Sequence, residues 1–148
     1  MTQPHSHQIA AVAYERVESR KYDHQDQQKC YGALVHKLPA MILQNGLAHA
    51  TGFLLAKGKE EHRAVLEDLR NIFNQTGHRY EDDQAFHQAI IQADLQKTMM
   101  ITRHALEVAG WMRRYVQGIL KINSTGDSDK QNESETAKEA DLQEASQS

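Results

Sequence analysis

Cysteine, proline and aromatic residues are all scarce in this chain, and each scarcity removes a class of protein. A single cysteine, Cys30, excludes an intramolecular disulfide and a thiolate-rich zinc site. Stability therefore has to come from a packed apolar core. Nowhere does an apolar run approach the roughly 18 residues of a membrane helix. The opening Met1-Thr2-Gln3-Pro4-His5 also lacks the basic-then-apolar order of a secretory signal. The expected compartment is the cytoplasm, with no membrane partner. With 148 residues, 39% of them hydrophobic and 25% charged, the length suits one soluble domain and excludes a multidomain enzyme.

Alternating β-branched residues, the mark of strands, are missing as well, whereas helical periodicity runs the length of the body. Val65, Leu66, Leu69, Ile72 and Phe73 form one amphipathic face, stopped by Asn74-Gln75-Thr76-Gly77. Phe86, Ala89, Ile90 and Ala93 form another, after an acidic start at Glu81-Asp82-Asp83 that favours a helix N-terminus. The pattern predicts further helices over Ile9 to Lys21, Gln27 to Gln44, Gly46 to Lys57 and Thr98 to Ile122. Pro39 inside the second implies a bend or a restart, and Asn45-Gly46 and Gly58 mark turns. The expected fold is all-α, a compact bundle of about six helices.

Helical patterning and charge together divide the chain into three expected parts. Residues 9–122 form the helical domain after a flexible N-terminus, residues 1–8. From residue 123 to 148 there are two lysines against seven acids, which leaves residues 1–122 with a net charge of +2. With Leu142 as its only large aliphatic residue, the segment 123–148 is expected to be a disordered acidic tail. Its plain role is solubilising; its functional alternative is to mimic nucleic-acid charge and compete for a basic face.

Catalytic constellations are absent. A helical di-metal site needs Glu-x-x-His on two helices, yet the residues three before the nine histidines are Thr2, Pro4, Lys21, Ala33, Gly46, Lys59, Gln75, Gln84 and Ile101. His5 and His7 read as part of a frayed polar end and not as a metal site. Gly52 to Lys59 has five residues between its glycines and Glu60 where a phosphate-binding loop needs Ser or Thr. Glu18 and Asp68 read as scattered surface charges, and Cys30 has no histidine on its helical face. The expectation is a protein that is not an enzyme and carries no metal or cofactor.

A binding face does emerge on the last helix. At about 100° per residue, Arg103, Arg114 and Lys121 fall within about 20° of one another, opposite Ala109, Met112, Val116 and Leu120. Such a stripe could follow several phosphates or an acidic partner groove, although Glu107 interrupts it. All five tyrosines also lie within two positions of a Lys or Arg: Tyr14 by Arg16, Tyr22 by Lys21, Tyr31 by Lys29, Tyr80 by Arg79 and Tyr115 by Arg114. Rings beside cations suit single-stranded RNA, but they equally suit the edge of a core.

The segment Tyr31 to Ala48 adds specificity. Lys37-Leu38-Pro39, Asn45-Gly46-Leu47 and Phe53-Leu54, followed by Thr102-Arg103, Ala105-Leu106 and Trp111-Met112-Arg113-Arg114-Tyr115, resemble in order and spacing the small subunit of the Cmr complex, the type III-B CRISPR effector. The likeness covers most of residues 9 to 120. It departs from the family pattern at His49, where Gln is expected, at Gly52, and in the tail. The resemblance implies a non-catalytic all-α subunit that stacks with further copies of itself along the belly of the effector. Its implied partners are the backbone and large subunits, guide RNA and target RNA. It also implies RNA contact by Lys37, Arg103, Arg113 and Arg114, with Lys29 and Lys121 secondary, and structural roles for Leu38, Pro39, Asn45, Gly46, Leu47 and Trp111. The rival expectation is a helical scaffold or adaptor that never touches RNA.

Overall fold

In the computed structural model, which describes residues 3–125, six α-helices follow one another with short connections. Helix α1 (His5–Ser19) starts directly after Pro4, earlier than Ile9, and buries Ile9, Ala13 and Val17 at four-residue spacing. It tightens into a 3₁₀ turn at Arg20–Tyr22. Helix α2 (Gln25–Asn45) continues through Pro39 without restarting, so the ring removes only the hydrogen bond its missing N–H would have made. Gly46, at φ 88°, ends α2 and starts α3 (Leu47–Lys57). That backbone conformation is open to glycine and strained for a side chain. Gly58 then closes α3 in the left-handed conformation at φ 60°.

Helix α4 (Glu60–Gln75) opens on Glu60 and Glu61, whose charge complements its N-terminus. It buries Val65, Leu66, Leu69, Ile72 and Phe73, the face its periodicity predicts. Asp82 caps α5 (Asp83–Gln92) by accepting from the Ala85 N–H at 2.7 Å. In the same way Asp94 caps α6 (Leu95–Tyr115), accepting from Lys97 N–H at 2.8 Å. The final expected stretch does not stay α-helical to Ile122. Val116–Leu120 widens into a π turn, and Lys121 follows with φ 59°.

Helix α2 is central, packing against α3, α4 and α6, while α6 also lies along α1. The core between them is apolar and continuous, with Tyr31, Phe73 and Phe86 its largest fully buried side chains. Burial of each large side chain is worth about 1.5–3 kcal/mol. Ile122 completes this core from the C-terminal side: its side chain covers Gly32 on α2, where an added Cβ would stand 2.7 Å from Ile122 Cγ2. Its carbonyl accepts from His36 Nε2 at 2.9 Å. The chain thus leaves the described region pinned to α2. Of the acidic tail expected from Asn123, only residues 123–125 fall within the described residues.

Asp68 overturns its expectation as a scattered surface charge. It is fully buried and accepts hydrogen bonds from Arg16 Nε (2.9 Å), Arg20 Nε (3.0 Å), Arg20 Nη2 (2.8 Å) and the Tyr31 hydroxyl (2.6 Å). The carboxylate ties α1, the 3₁₀ turn, α2 and α4 at one point. Burial alone would lower the Arg20 pKa; the hydrogen bonds and charge of Asp68 reverse this and raise it. The Tyr31 hydroxyl is pushed up by burial first and by Asp68 second.

Candidate nucleic-acid interface

Two surfaces each bring several exposed cations together, while Lys21, Arg63, Arg79 and Lys97 are exposed elsewhere. The first is on α6, whose inner face is Ile101, Ala105, Val108, Ala109 and Met112, so that Arg103, Arg113 and Arg114 are left in solvent. Arg103 and Arg114 share a line along the helix, and Arg113 sits about 80° round from Arg103. The Arg114 guanidinium lies over Trp111 at 5.0 Å. Trp111 stacks on Tyr115 (5.8 Å, 23°), and Tyr115 meets Tyr14 of α1 edge-on (5.4 Å, 88°). Trp111, Arg114 and Tyr115 meet because their three- and four-residue spacings bring side chains together on a helix. The result is a ladder of cation and rings that ends at exposed Tyr14, with the Tyr115 hydroxyl shifted up by burial.

Lys121 does not extend this surface in the way the helical arithmetic requires. The π turn and the left-handed Lys121 break the 100° rotation beyond Tyr115, so the three-cation stripe reduces to Arg103 and Arg114. Tyr31 also leaves the set of ring–cation pairs, because its ring is in the core and its hydroxyl belongs to Asp68. Arg16, the neighbour of Tyr14 in sequence, turns inward to Asp68 and Glu67.

The second surface is a groove of about 340 Å³ between α2 and α3. Here Lys37 is joined by Lys57 and Lys59, with Cys30, Met41 and Phe53 between them and Glu61 as the acid. Lys57 Nζ sits 5.9 Å from the Phe53 ring, and His62 meets that ring edge-on at 5.5 Å. Burial lowers the His62 pKa, with Lys59 and Lys57 acting in the same direction against Glu61. Lys57 and Lys59 flank the Gly58 turn; that pairing around a helix end was the available signal, and periodicity alone does not register it. Lys29 lies half-buried on α2, about two turns before Lys37.

Among the residues expected to be structural, Leu38 and Leu47 are buried, Pro39 and Trp111 are half-buried, Gly46 makes the α2–α3 corner, and Asn45 is exposed. Gly52 has a local reason: a Cβ there would press on His87 at 3.3 Å, and that ring is held by Thr51 Oγ1 at 2.7 Å from Nδ1. His49 faces solvent beside Asn45 and Phe53 in the continuation of the groove. His5 is part of α1 and packs against His104 at 5.5 Å. Among the described residues, no group of three His, Cys, Asp or Glu side chains is placed to hold a metal ion, and no helix is long and apolar enough to cross a membrane.

These features define a class, an all-α bundle with two shallow cationic surfaces, each holding a cation over an aromatic ring. Comparison with known proteins gives the family. The model for CRISPR-associated protein (Cas_Cmr5) matches residues 5–119. The CRISPR system Cmr subunit Cmr5 of Thermus thermophilus is 31% identical over 113 residues, covering 76% of this chain and 92% of that protein. The X-ray structure of a Cmr5 family protein, also from Thermus thermophilus, superposes with a TM-score of 0.70 at 30% identity, covering 80% of this chain and 98% of that one. The chain belongs to the CRISPR-associated Cmr5 family, as the motifs around Lys37-Leu38-Pro39 and Trp111 indicate.

Proposed function

We propose that the protein is the non-catalytic small subunit of a type III-B CRISPR effector. It works in the cytoplasm, stacks with further copies of itself and with the backbone and large subunits, and lines the channel that holds guide and target RNA. Its contacts are to RNA phosphates and carry no base information, since pairing with the guide reads sequence. The observation that supports this most is the state of the cations. Among the described residues, Arg103, Arg113, Arg114, Lys37, Lys57 and Lys59 form no ion pair, while Arg16, Arg20 and Arg70 are all paired to acids within the fold. Unpaired guanidinium and ammonium groups near the exposed rings of Tyr14 and Phe53 suit a single strand, with phosphates neutralised and those two rings open to bases.

The test is the full chain carrying Arg103→Ala with Arg114→Ala, assembled with its effector partners. The expected result is a subunit that folds and incorporates normally while the complex retains less guide and target RNA. Normal incorporation with unchanged RNA retention would overturn the assignment of α6 to RNA and favour a scaffold that meets only protein.

A further inference from the structure

Ile122, three residues before the end of the described chain, packs on α2, the helix that carries Lys37 at the cationic groove. Ile122 is locked to α2 by its packing on Gly32 and by the bond from His36 to its carbonyl. His36 immediately precedes Lys37 in sequence, and Lys37 lines the groove with Lys57 and Lys59. Residues 123–125 form a turn in which Asn123 Oδ1 accepts from the Thr125 N–H (3.0 Å) and hydroxyl (2.6 Å). Counted from Thr125, Glu133 is eight residues on, a reach of about 26–29 Å for extended chain. Crossing from the Gly32 side of α2 to the Lys37 side means passing round a helix about 10–12 Å across. Residues 127–144 then supply seven acids, Asp127, Asp129, Glu133, Glu135, Glu139, Asp141 and Glu144, against two lysines. The groove presents three lysines against Glu61.

We propose that the acidic segment 127–144 docks in the α2–α3 groove of its own chain and there competes with RNA phosphate for Lys37, Lys57 and Lys59. Attachment at Ile122 makes the encounter intramolecular, and short tethers give effective concentrations in the millimolar range. No dedicated pocket is needed at that concentration. An RNA strand, by contrast, brings evenly spaced charges and bases that can stack on Phe53, so it displaces the segment when held in register by an assembled complex. The family match ends at residue 119, which places this segment outside the part shared with the matching model. The docking stands on charge and connectivity alone; the competition rests on the RNA role proposed above for the groove.

Cys30 lines the groove and is the chain's single cysteine, so a nitroxide can be attached there in the otherwise native full chain. At low salt the spin label should broaden the amide signals of residues 127–141, and about 0.5 M salt should restore them. Tail amides that stay sharp at low salt would overturn the docking. A full chain with the seven tail acids changed to Asn or Gln should lose the broadening, and so should Lys37→Ala with Lys57→Ala and Lys59→Ala. Persistence in either variant would show that charge in this groove is not the cause and would overturn the proposal. For the competition, a short oligouridylate should bind the neutralised-tail chain about threefold to tenfold more tightly than the native chain at low salt. Equal affinities, with broadening intact, overturn the competition and leave the docking standing. Absence of any RNA binding by the neutralised chain, again with broadening intact in the native chain, likewise overturns the competition and leaves the docking standing.

Discussion

Two pairs of arginines in this bundle have opposite fates. Arg16 and Arg20, four residues apart at the end of α1, converge on one buried carboxylate, Asp68. Arg103 and Arg114, eleven apart on α6, share a line and meet no acid among the described residues; even Glu107, one turn after Arg103, makes no ion pair with it. The partner decides which role a guanidinium has. A buried acid converts the first pair into internal structure that joins three helices, and the lack of one leaves the second pair available to an outside anion. Sequence spacing is similar in kind for both, so charge counts alone overstate the basic surface.

The strongest way to break this contrast is Asp68→Ala, which strands two arginines and the Tyr31 hydroxyl. A loss of about 3–5 kcal/mol is expected in urea unfolding of the full chain, the cost of removing one side of a buried ion pair. A smaller loss, about 1–3 kcal/mol, is expected for Gly32→Ala, because the new methyl overlaps Ile122 and the π turn has to shift. Hydrogen exchange should speed up at residues 116–122 while the Asp68 cluster keeps its protection.

Acid gives a third, weaker probe at a different place. Burial pushes the His104 pKa down from 6.5 to about 4, with nearby His78 and His5 adding to the effect, and His78 is lowered by burial and by Lys97. The neutral ring is the form that fits, held at 2.9 Å from Thr76 Oγ1. Its contribution is therefore complete above pH 6.5 and disappears as pH falls towards 4. Discounted for the partial exposure of the site, the loss should be about 1–2 kcal/mol. Denaturant midpoints across that range should fall in the native chain and much less in His104→Gln. At the small end, Arg103→Ala with Arg114→Ala should change stability by no more than about 0.5 kcal/mol, the usual range for surface changes. A large loss there would erase the distinction between the two pairs.

Much of the fold is legible because helical periodicity and turn residues agree. Val65 to Phe73, Phe86 with Ile90, and Asn45-Gly46 each announce their role locally. The buried state of Asp68 is less obvious, although it had a trace: three after Val65 and four before Ile72, it lies on the apolar face of α4, and Arg16 and Arg20 supply matching charges one turn apart. Those two facts sit some fifty residues apart in the chain, so only tertiary packing joins them. The displacement of Lys121 had no such trace, since a π turn changes residues per turn without a residue type that requires it. Lys57 and Lys59 were hidden for another reason. They straddle a turn, and their convergence on Lys37 depends on how α3 folds back on α2.

That fold-back depends on Gly46, the residue that both ends α2 and precedes α3. A corner with no linker has no slack, so insertions and deletions will be unequally tolerated along this chain. The connection from Thr76 to Asp82 has more room: Asn74 holds the Tyr80 N–H and carbonyl (2.8 and 3.0 Å), but the residues around Gly77 between them can rearrange about a residue gained. One residue gained or lost at the Gly46 corner would instead re-aim all of α3 and separate Lys57 from Lys37. Among relatives of this protein, length should vary in the first place and stay constant in the second.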